Sequence, residues 1–168
     1  AKRALEQHLA HSATRLALRQ GVADIFGLEE LPERIEVYDN SHISGDKMVG
    51  AMIVEGKDGF VKNAYRTFNI NRADKSDDYG MMREVLLRRF KRALKEGNSP
   101  GNAGWPDLLL IDGGRGQLNV CKEVLEELGI IDALTIVGIA KGPDRDAGRE
   151  KFFMPGCEEF QLPVNDPV

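Results

Sequence analysis

Apolar residues at the start of the chain recur every three or four positions, which is the period of an α-helix. Leu5, Leu9 and Leu16 follow this spacing and predict a helix over residues 1–20. Gly21 lies where a residue that ends the helix is expected. From residue 34 onward the period falls to two, which is typical of strands with one buried face.

Three strands joined by short turns are predicted next. The first is closed by Asp39 and followed by a polar turn over residues 40–46. The second is the apolar run 48–54, and the third covers residues 60–68 after a glycine hairpin turn. Strands connected in this way form an antiparallel meander.

The second half of the chain alternates helices with continuous apolar strands. A helix of about 18 residues follows the polar loop 69–76, and the predicted strands 108–112 and 134–140 flank a second helix that Gly129 ends. A short β-like segment is expected near residues 151–154. The long helix has an apolar face that consists of Met82, Val85, Leu86, Phe90, Ala93 and Leu94.

Continuous apolar strands separated by helices indicate parallel strands that are covered on both faces. Right-handed crossovers then restrict the topology. The predicted fold class is α/β, with a ribonuclease-H-like mixed sheet in which a three-stranded antiparallel meander is joined to two βα units. An N-terminal helix precedes the sheet.

Composition limits the class of protein. The chain has 168 residues, 42% hydrophobic and 30% charged, which suits one globular domain. It contains no apolar run of about 18 residues, so no membrane span is predicted. Two cysteines without a paired motif suit a reducing, cytoplasmic location.

The net charge of −4 argues at face value against a nucleic-acid binder. Neither end resembles a natural terminus, which predicts a piece of a longer protein.

Two carboxylates at strand ends are the main candidates for chemistry. Asp39 closes the first predicted strand and Asp112 closes the strand 108–112. If these strands are parallel neighbours, their ends lie roughly 4.8 Å apart, and carboxylates at that spacing repel each other unless a cation lies between them. Such hard oxygen donors suit Mg²⁺ or Mn²⁺. The alternative is that each aspartate only caps a helix or forms a turn.

The long helix adds a possible third acid and several cations. Asp78 begins its apolar stripe and is a candidate to join the other two carboxylates, although N-terminal capping explains it equally well. Arg88, Arg92 and Lys95 form one exposed stripe, which either contacts phosphates or is an ordinary solvated face.

The glycine turn 113–116 matches neither a P-loop nor a dinucleotide-binding motif. We interpret it as a tight turn whose backbone N–H groups, at the start of a helix, favour a phosphate. Lys141, at the end of the next strand, would hold a phosphate from the same side or be an ordinary surface lysine. His42 is a candidate to orient a water or a ligand, although a histidine bonded to nearby turn backbone fits better.

Four motifs together resemble the UvrC family of nucleases, which belong to the excinuclease ABC system of bacterial nucleotide excision repair. They occur in the family's order and are Tyr38–His42, Asp77–Tyr79 with Met82 and 85–89, Leu110–Leu118, and Gly138–Gly142. The most specific is the sequence Ile-Asp-Gly-Gly-Arg-Gly-Gln-Leu at residues 111–118.

The resemblance implies the ribonuclease-H-like endonuclease domain of that family, which makes the incision 5′ of a DNA lesion. Asp39, Asp78 and Asp112 match the family's catalytic acids, and Asp39 and Asp112 are expected to hold Mg²⁺ or Mn²⁺. The candidate phosphate contacts are Arg115, Lys141, Arg88 and Arg92.

The implied partners are damaged double-stranded DNA and UvrB, with UvrA acting upstream, and the chain itself is expected to be monomeric and not to bind membranes. Residues 1–31 are expected to form a helix and linker from the preceding region. Residues 32–168 then form the endonuclease domain, truncated at its C-terminal end. The family's catalytic histidine and its helix–hairpin–helix module match no residue here.

Two function classes follow. The first is a metal-dependent endonuclease, and the second is a module that binds metal and DNA but cuts poorly without the missing histidine. A dinucleotide-binding enzyme is excluded, because the strand after the glycine turn ends in Ala140-Lys141 without an acid for the ribose.

Overall fold

A computed structural model describes residues 2–43, 47–56, 59–70, 78–99, 102, 104–140 and 150–161, with the backbone alone described at 8–15, 40–43, 47–48, 70 and 78. The helices are α1 (Lys2–Phe26), α2 (Asp78–Lys95) and α3 (Arg115–Glu127). The strands are β1 (Ile35–Ile43), β2 (Lys47–Gly56), β3 (Gly59–Phe60), β4 (Arg66–Ile70), β5 (Leu108–Asp112), β6 (Thr135–Ala140) and β7 (Lys151–Phe153). Short 3-10 turns cover Lys62–Ala64 and Ile131–Ala133.

The described strands form one mixed sheet in the order β3-β2-β1-β5-β6-β7, and β4 also pairs with β2. The pairs β1–β2, β2–β4 and β6–β7 are antiparallel, whereas β1–β5 and β5–β6 are parallel. This arrangement confirms the predicted mixed sheet, in which a meander is joined to two βα units.

The first and third predicted strands have different bounds from those observed. β1 does not end at Asp39, because its antiparallel pairing with β2 continues to Ile43 opposite Lys47. The predicted third strand is interrupted by the 3-10 turn, in which the Ala64 N–H donates to the Val61 carbonyl at 3.0 Å. A local turn of this kind leaves no mark on the alternation of apolar residues, so the sequence pattern merged β3 and β4.

The helix α1 continues past Gly21 and ends at Phe26. Its last turns pack on the sheet, since Ala23 is 3% and Phe26 7% exposed. Burial of these side chains offsets the cost of about 1 kcal/mol for a glycine inside a helix. Gly27, with φ of +68°, ends the helix, and the Leu28 N–H donates to the Ala23 carbonyl at 2.8 Å.

Each face of the sheet carries its own core. On one face α2 and α3 bury Met82, Leu86 and Phe90 together with Leu109 and Ile111 of β5. The predicted apolar face of α2 is confirmed except at Leu94, which is 40% exposed.

On the other face the end of α1 buries Phe26 against Ile35, Leu108 and Val137. The boundary between residues 31 and 32 stays a prediction. Among the described helices, none is long and apolar enough to cross a membrane.

Candidate functional site

The register between β1 and β5 brings two carboxylates together. It runs from Ile35 opposite Leu108 to Tyr38 opposite Ile111, and one residue further it places Asp39 beside Asp112. Adjacent strands lie roughly 4.8 Å apart. Both residues are exposed. The predicted parallel neighbours are therefore confirmed, and the two strands bring two oxygen donors to one solvent-facing edge.

The turn after Asp112 depends on glycine. Gly113 has a φ of +144°, and its N–H donates to the Ile139 carbonyl of β6 at 2.8 Å. A Cβ on Gly113 would lie 2.5 Å from Cγ of Gln117, and a Cβ on Gly138 would lie 3.2 Å from the Gly113 carbonyl oxygen. The absence of these side chains lets the turn lie against β6, so that α3 starts only three residues after Asp112.

Asp78 is the first residue of α2, but its side chain lies outside the described part of the chain. Its neighbour Tyr79 packs against the first turn of α3, because a Cβ on Gly116 would lie 2.4 Å from the Tyr79 Oη. The start of α2 therefore contacts the start of α3, next to the turn that follows Asp112. That Asp78 joins the two other carboxylates stays a prediction.

The structure describes two carboxylates at this edge and no third ligand. Among the described residues, no group of three or more His, Cys, Asp or Glu side chains is arranged to hold a metal ion. Lys141 lies outside the described residues, and of His42 only the backbone in β1 is described.

Arg115, three residues after Asp112, lies in the first turn of α3 and is exposed. Its guanidinium donates to the Cys157 carbonyl at 3.2 Å and lies 5.3 Å from the centre of the Phe153 ring. These contacts direct Arg115 toward β7 and the segment after it. A phosphate contact by Arg115 stays a prediction.

Arg88 and Arg92 form a separate surface on α2. They are ten and fourteen residues after Asp78, which corresponds to about 15 and 21 Å along the helix. Arg88 donates to the Asn69 carbonyl of β4 at 2.8 Å and pairs with Glu84, and Arg92 pairs with Glu96 at 3.0 Å. The predicted exposure of both side chains is confirmed. The structure does not bring them next to Asp112.

A buried ionic network in β1 was not predicted. Glu36 is fully buried and accepts hydrogen bonds from Arg34 Nε at 2.8 Å, from an Arg89 terminal nitrogen at 2.9 Å, and from the Tyr38 hydroxyl. Burial and the charge of Glu36 raise the pKa of Tyr38 well above 10.0. The alternation in β1 marked Glu36 only as a polar residue, so no sequence signal distinguished it from a solvent-facing glutamate.

Comparison with known proteins gives consistent results. Residues 23–168 match the family model of the UvrC RNAse H endonuclease domain. The whole chain is 54% identical over 181 residues to UvrABC system protein C of Chelativorans sp. (strain BNC1), of which it covers 28%. It is 58% identical over 170 residues to the same protein of Paramagnetospirillum magneticum, of which it covers 27%. The chain thus spans less than a third of the length of these relatives.

Solved structures show a weaker likeness. The catalytic domain of human Endonuclease V has a TM-score of 0.47 and 18% identity, with 84% of this chain and 60% of that chain covered. Argonaute of A. aeolicus has a TM-score of 0.44 and 15% identity, with 76% of this chain and 20% of that chain covered.

Proposed function

The chain belongs to the UvrC RNAse H endonuclease domain family, and from this premise we propose that it is a divalent-metal-dependent endonuclease. Its reaction is hydrolysis of a DNA phosphodiester 5′ of a lesion during nucleotide excision repair. The observation that carries the proposal is the β1–β5 register, which places Asp39 beside Asp112.

The donor set fits Mg²⁺ or Mn²⁺. Two exposed carboxylates one strand spacing apart supply hard oxygen ligands and leave further positions for water and phosphate. Asp39 and Asp112 would hold the ion, and Asp78 would supply a further ligand or orient one. Such an ion, when bound, activates a water molecule and neutralises charge on the phosphate.

The chain's own groups position the substrate. Gly113 and Gly114, directly after Asp112, have no side chains to obstruct a DNA backbone, and the N–H groups in the first turn of α3 favour a phosphate oxygen. Arg115 and Lys141 would add cationic contacts from the same edge. These groups stabilise the negative charge that develops as the phosphodiester is attacked.

The partners we propose follow from the family. UvrB would deliver damaged double-stranded DNA after UvrA has acted, and the chain would do its work in the cytoplasm. The second candidate function is a module that binds metal and DNA but cuts poorly.

The test combines Mn²⁺ titration by calorimetry with nicking of supercoiled plasmid. We expect Asp112→Asn to lose Mn²⁺ binding and nicking, whereas the matched control Asp132→Asn, at an exposed aspartate in the turn Ile131–Ala133, retains both. Mn²⁺ binding without nicking by the unmodified chain would favour the binding module. Unchanged Mn²⁺ binding by Asp112→Asn would remove Asp112 from the metal site.

A further inference from the structure

A cavity of about 450 Å³ opens between β4 and α2, and arginines dominate its lining. We call it the arginine groove; its charged lining residues are Arg34, Arg66, Arg88, Arg89, Arg92 and Glu96. Met52 and Phe68 are among its apolar residues. No step of the proposed hydrolysis uses this surface.

Three of the five arginines are held by the protein itself. Arg34 and Arg89 pair with the buried Glu36 at 2.8 and 2.9 Å. Arg88 is bound to Glu84 and to the Asn69 carbonyl. These contacts fix the shape of the groove. The carboxylates in the lining or in contact with it are Glu36, Glu84 and Glu96, so five positive charges face three negative ones among the described residues.

The two remaining arginines can bind a ligand. Arg66 donates to the carbonyl oxygens of Asn63 and Tyr65 at 2.9 and 2.8 Å, which hold its guanidinium at the rim without neutralising it. The Arg92 side chain is 73% exposed and its partner Glu96 is 54% exposed. An exposed pair of this kind contributes little to stability, so Arg92 can exchange Glu96 for another anion.

We propose that the arginine groove binds a backbone phosphate of the DNA, with Arg66 and Arg92 as its two ligands. Planar guanidinium groups match the oxygens of a phosphate in a bidentate manner. An acidic peptide would offer the same charge, but when the substrate of the enzyme is DNA, a continuous row of phosphates lies against this surface. Phosphate binding is independent of the proposed function, and only the identification of DNA as its source rests on it.

The sheet sets the distance between this contact and the two aspartates. Arg66 pairs with Met52 in β2, and Met52 pairs with Tyr38 in β1, next to Asp39. Three strand spacings therefore separate β4 from β5 and Asp112, or about 14 Å. With a rise of 3.4 Å per base pair, this corresponds to about four base pairs along a duplex. The groove would hold the DNA on one side of the cleavage position.

The experiment measures binding of a fluorescent 30-base-pair duplex in EDTA, at KCl concentrations from 50 to 200 mM. The variant R66Q/R92Q is compared with K91Q/K122Q, which removes two exposed lysine charges, one from α2 and one from α3, without altering the groove lining. We expect R66Q/R92Q to weaken binding about tenfold and to reduce the slope of log K against log [KCl] by roughly one, because the loss of one phosphate contact removes about 0.9.

The inference would be overturned if R66Q/R92Q bound the duplex as the unmodified chain does, or if both double variants lost duplex binding equally. It would also be overturned if R66Q/R92Q lost binding to an oligoglutamate peptide but retained binding to the duplex. EDTA keeps the measurement separate from metal-dependent cleavage. If Asp112→Asn abolished nicking while R66Q/R92Q bound DNA normally, the inference would fail and the proposed function would stand. If R66Q/R92Q lost DNA binding while Asp112→Asn bound Mn²⁺ normally, the inference would stand and the proposed metal site would fail.

Discussion

At the scale of single residues, Gly113 combines two constraints, a positive φ and a crowded Cβ position. Its φ of +144° lies in a region that side chains rarely adopt, and a Cβ there would collide with Gln117. Gly129, after α3, also has a positive φ, of +73°, but a Cβ there would meet nothing within 4 Å. Gly113 therefore determines both local backbone conformation and the placement of Asp112.

Gly113→Ala should accordingly impair the site, whereas Gly129→Ala should affect stability alone. We expect each substitution to cost about 1–3 kcal/mol of unfolding free energy because of the positive φ. Gly113→Ala should in addition lower Mn²⁺ affinity at least about tenfold, since the turn must shift away from Gln117. Urea denaturation and calorimetric titration measure the two effects. Equal Mn²⁺ affinities in the two variants would contradict this role of Gly113.

Glu36 is a second residue whose contribution depends on its surroundings, because it is buried between two arginines. Its fully buried carboxylate compensates Arg34 and Arg89, whose side chains are 18% and 12% exposed, and its removal leaves these two mostly buried cations without their acid. The cost of breaking a buried ionic contact exceeds that of an exposed pair, because the remaining charge is only partly rehydrated.

We predict that Glu36→Gln lowers the free energy of unfolding by about 3–5 kcal/mol. The same substitution at Glu126, which is 51% exposed and lies 3.8 Å from Lys122, should change it by less than about 1 kcal/mol. Chemical denaturation of both variants provides the comparison. A loss below about 1 kcal/mol at Glu36 would show that Arg34 and Arg89 find other partners.

At the scale of elements, the two ends of α1 differ. Leu5 is 58% and Leu16 56% exposed, so the spacing that predicted the helix does not mark a core-facing stripe. The packed end is defined by Arg19, which donates to the carbonyls of Pro32 and Gly56, and by Phe26. The Phe26 ring centre lies 5.8 Å from that of Phe152 and 6.1 Å from that of Phe160. The C-terminal turns of α1 thus join the second core.

This difference gives a direct stability test. Phe26→Ala should reduce the free energy of unfolding by about 3–5 kcal/mol, as expected for a large aromatic residue removed from a core. Leu16→Ala, on the same helix, should change it by no more than about 0.5 kcal/mol. Thermal and urea denaturation are suitable measurements. Similar losses for both substitutions would mean that the N-terminal part of α1 also packs.

At the scale of the whole molecule, the two cysteines lie in different environments, one in the larger core and one at the surface. Cys121 of α3 is buried, and burial raises its pKa from 9.0 to about 12. Cys157 is exposed. The thiolate is the reactive form of cysteine, so Cys121 is protected by both its location and its protonation.

At pH 8 we expect a disulfide reagent such as DTNB to modify one thiol quickly in the folded protein and two thiols in denaturant. Cys157→Ser should eliminate the fast reaction and leave a slow one whose rate follows unfolding. Rapid modification of Cys121 in folded Cys157→Ser would reveal local opening of the core between α3 and the sheet.

The local clusters of charge on the molecule differ in sign and size from its net charge. A net charge of −4 argues against DNA binding, yet five arginines line one groove and two carboxylates meet at one edge. Membership of an endonuclease domain family supports the proposed contacts with DNA in spite of the net charge. Local fields govern contacts with DNA, because exposed charges farther apart than about 8 Å are largely screened at physiological salt.

The sequence by itself determined the α/β class, the order of most elements, the apolar face of α2, and the family. Periodicity and motifs carry these features because they depend on residues close together in the chain. Only the tertiary structure decided that Asp39 lies beside Asp112, that Glu36 is buried, and that α1 packs through Phe26 and not through Leu16. These features depend on pairing between segments far apart in sequence, where register and burial follow from the packing of the whole sheet.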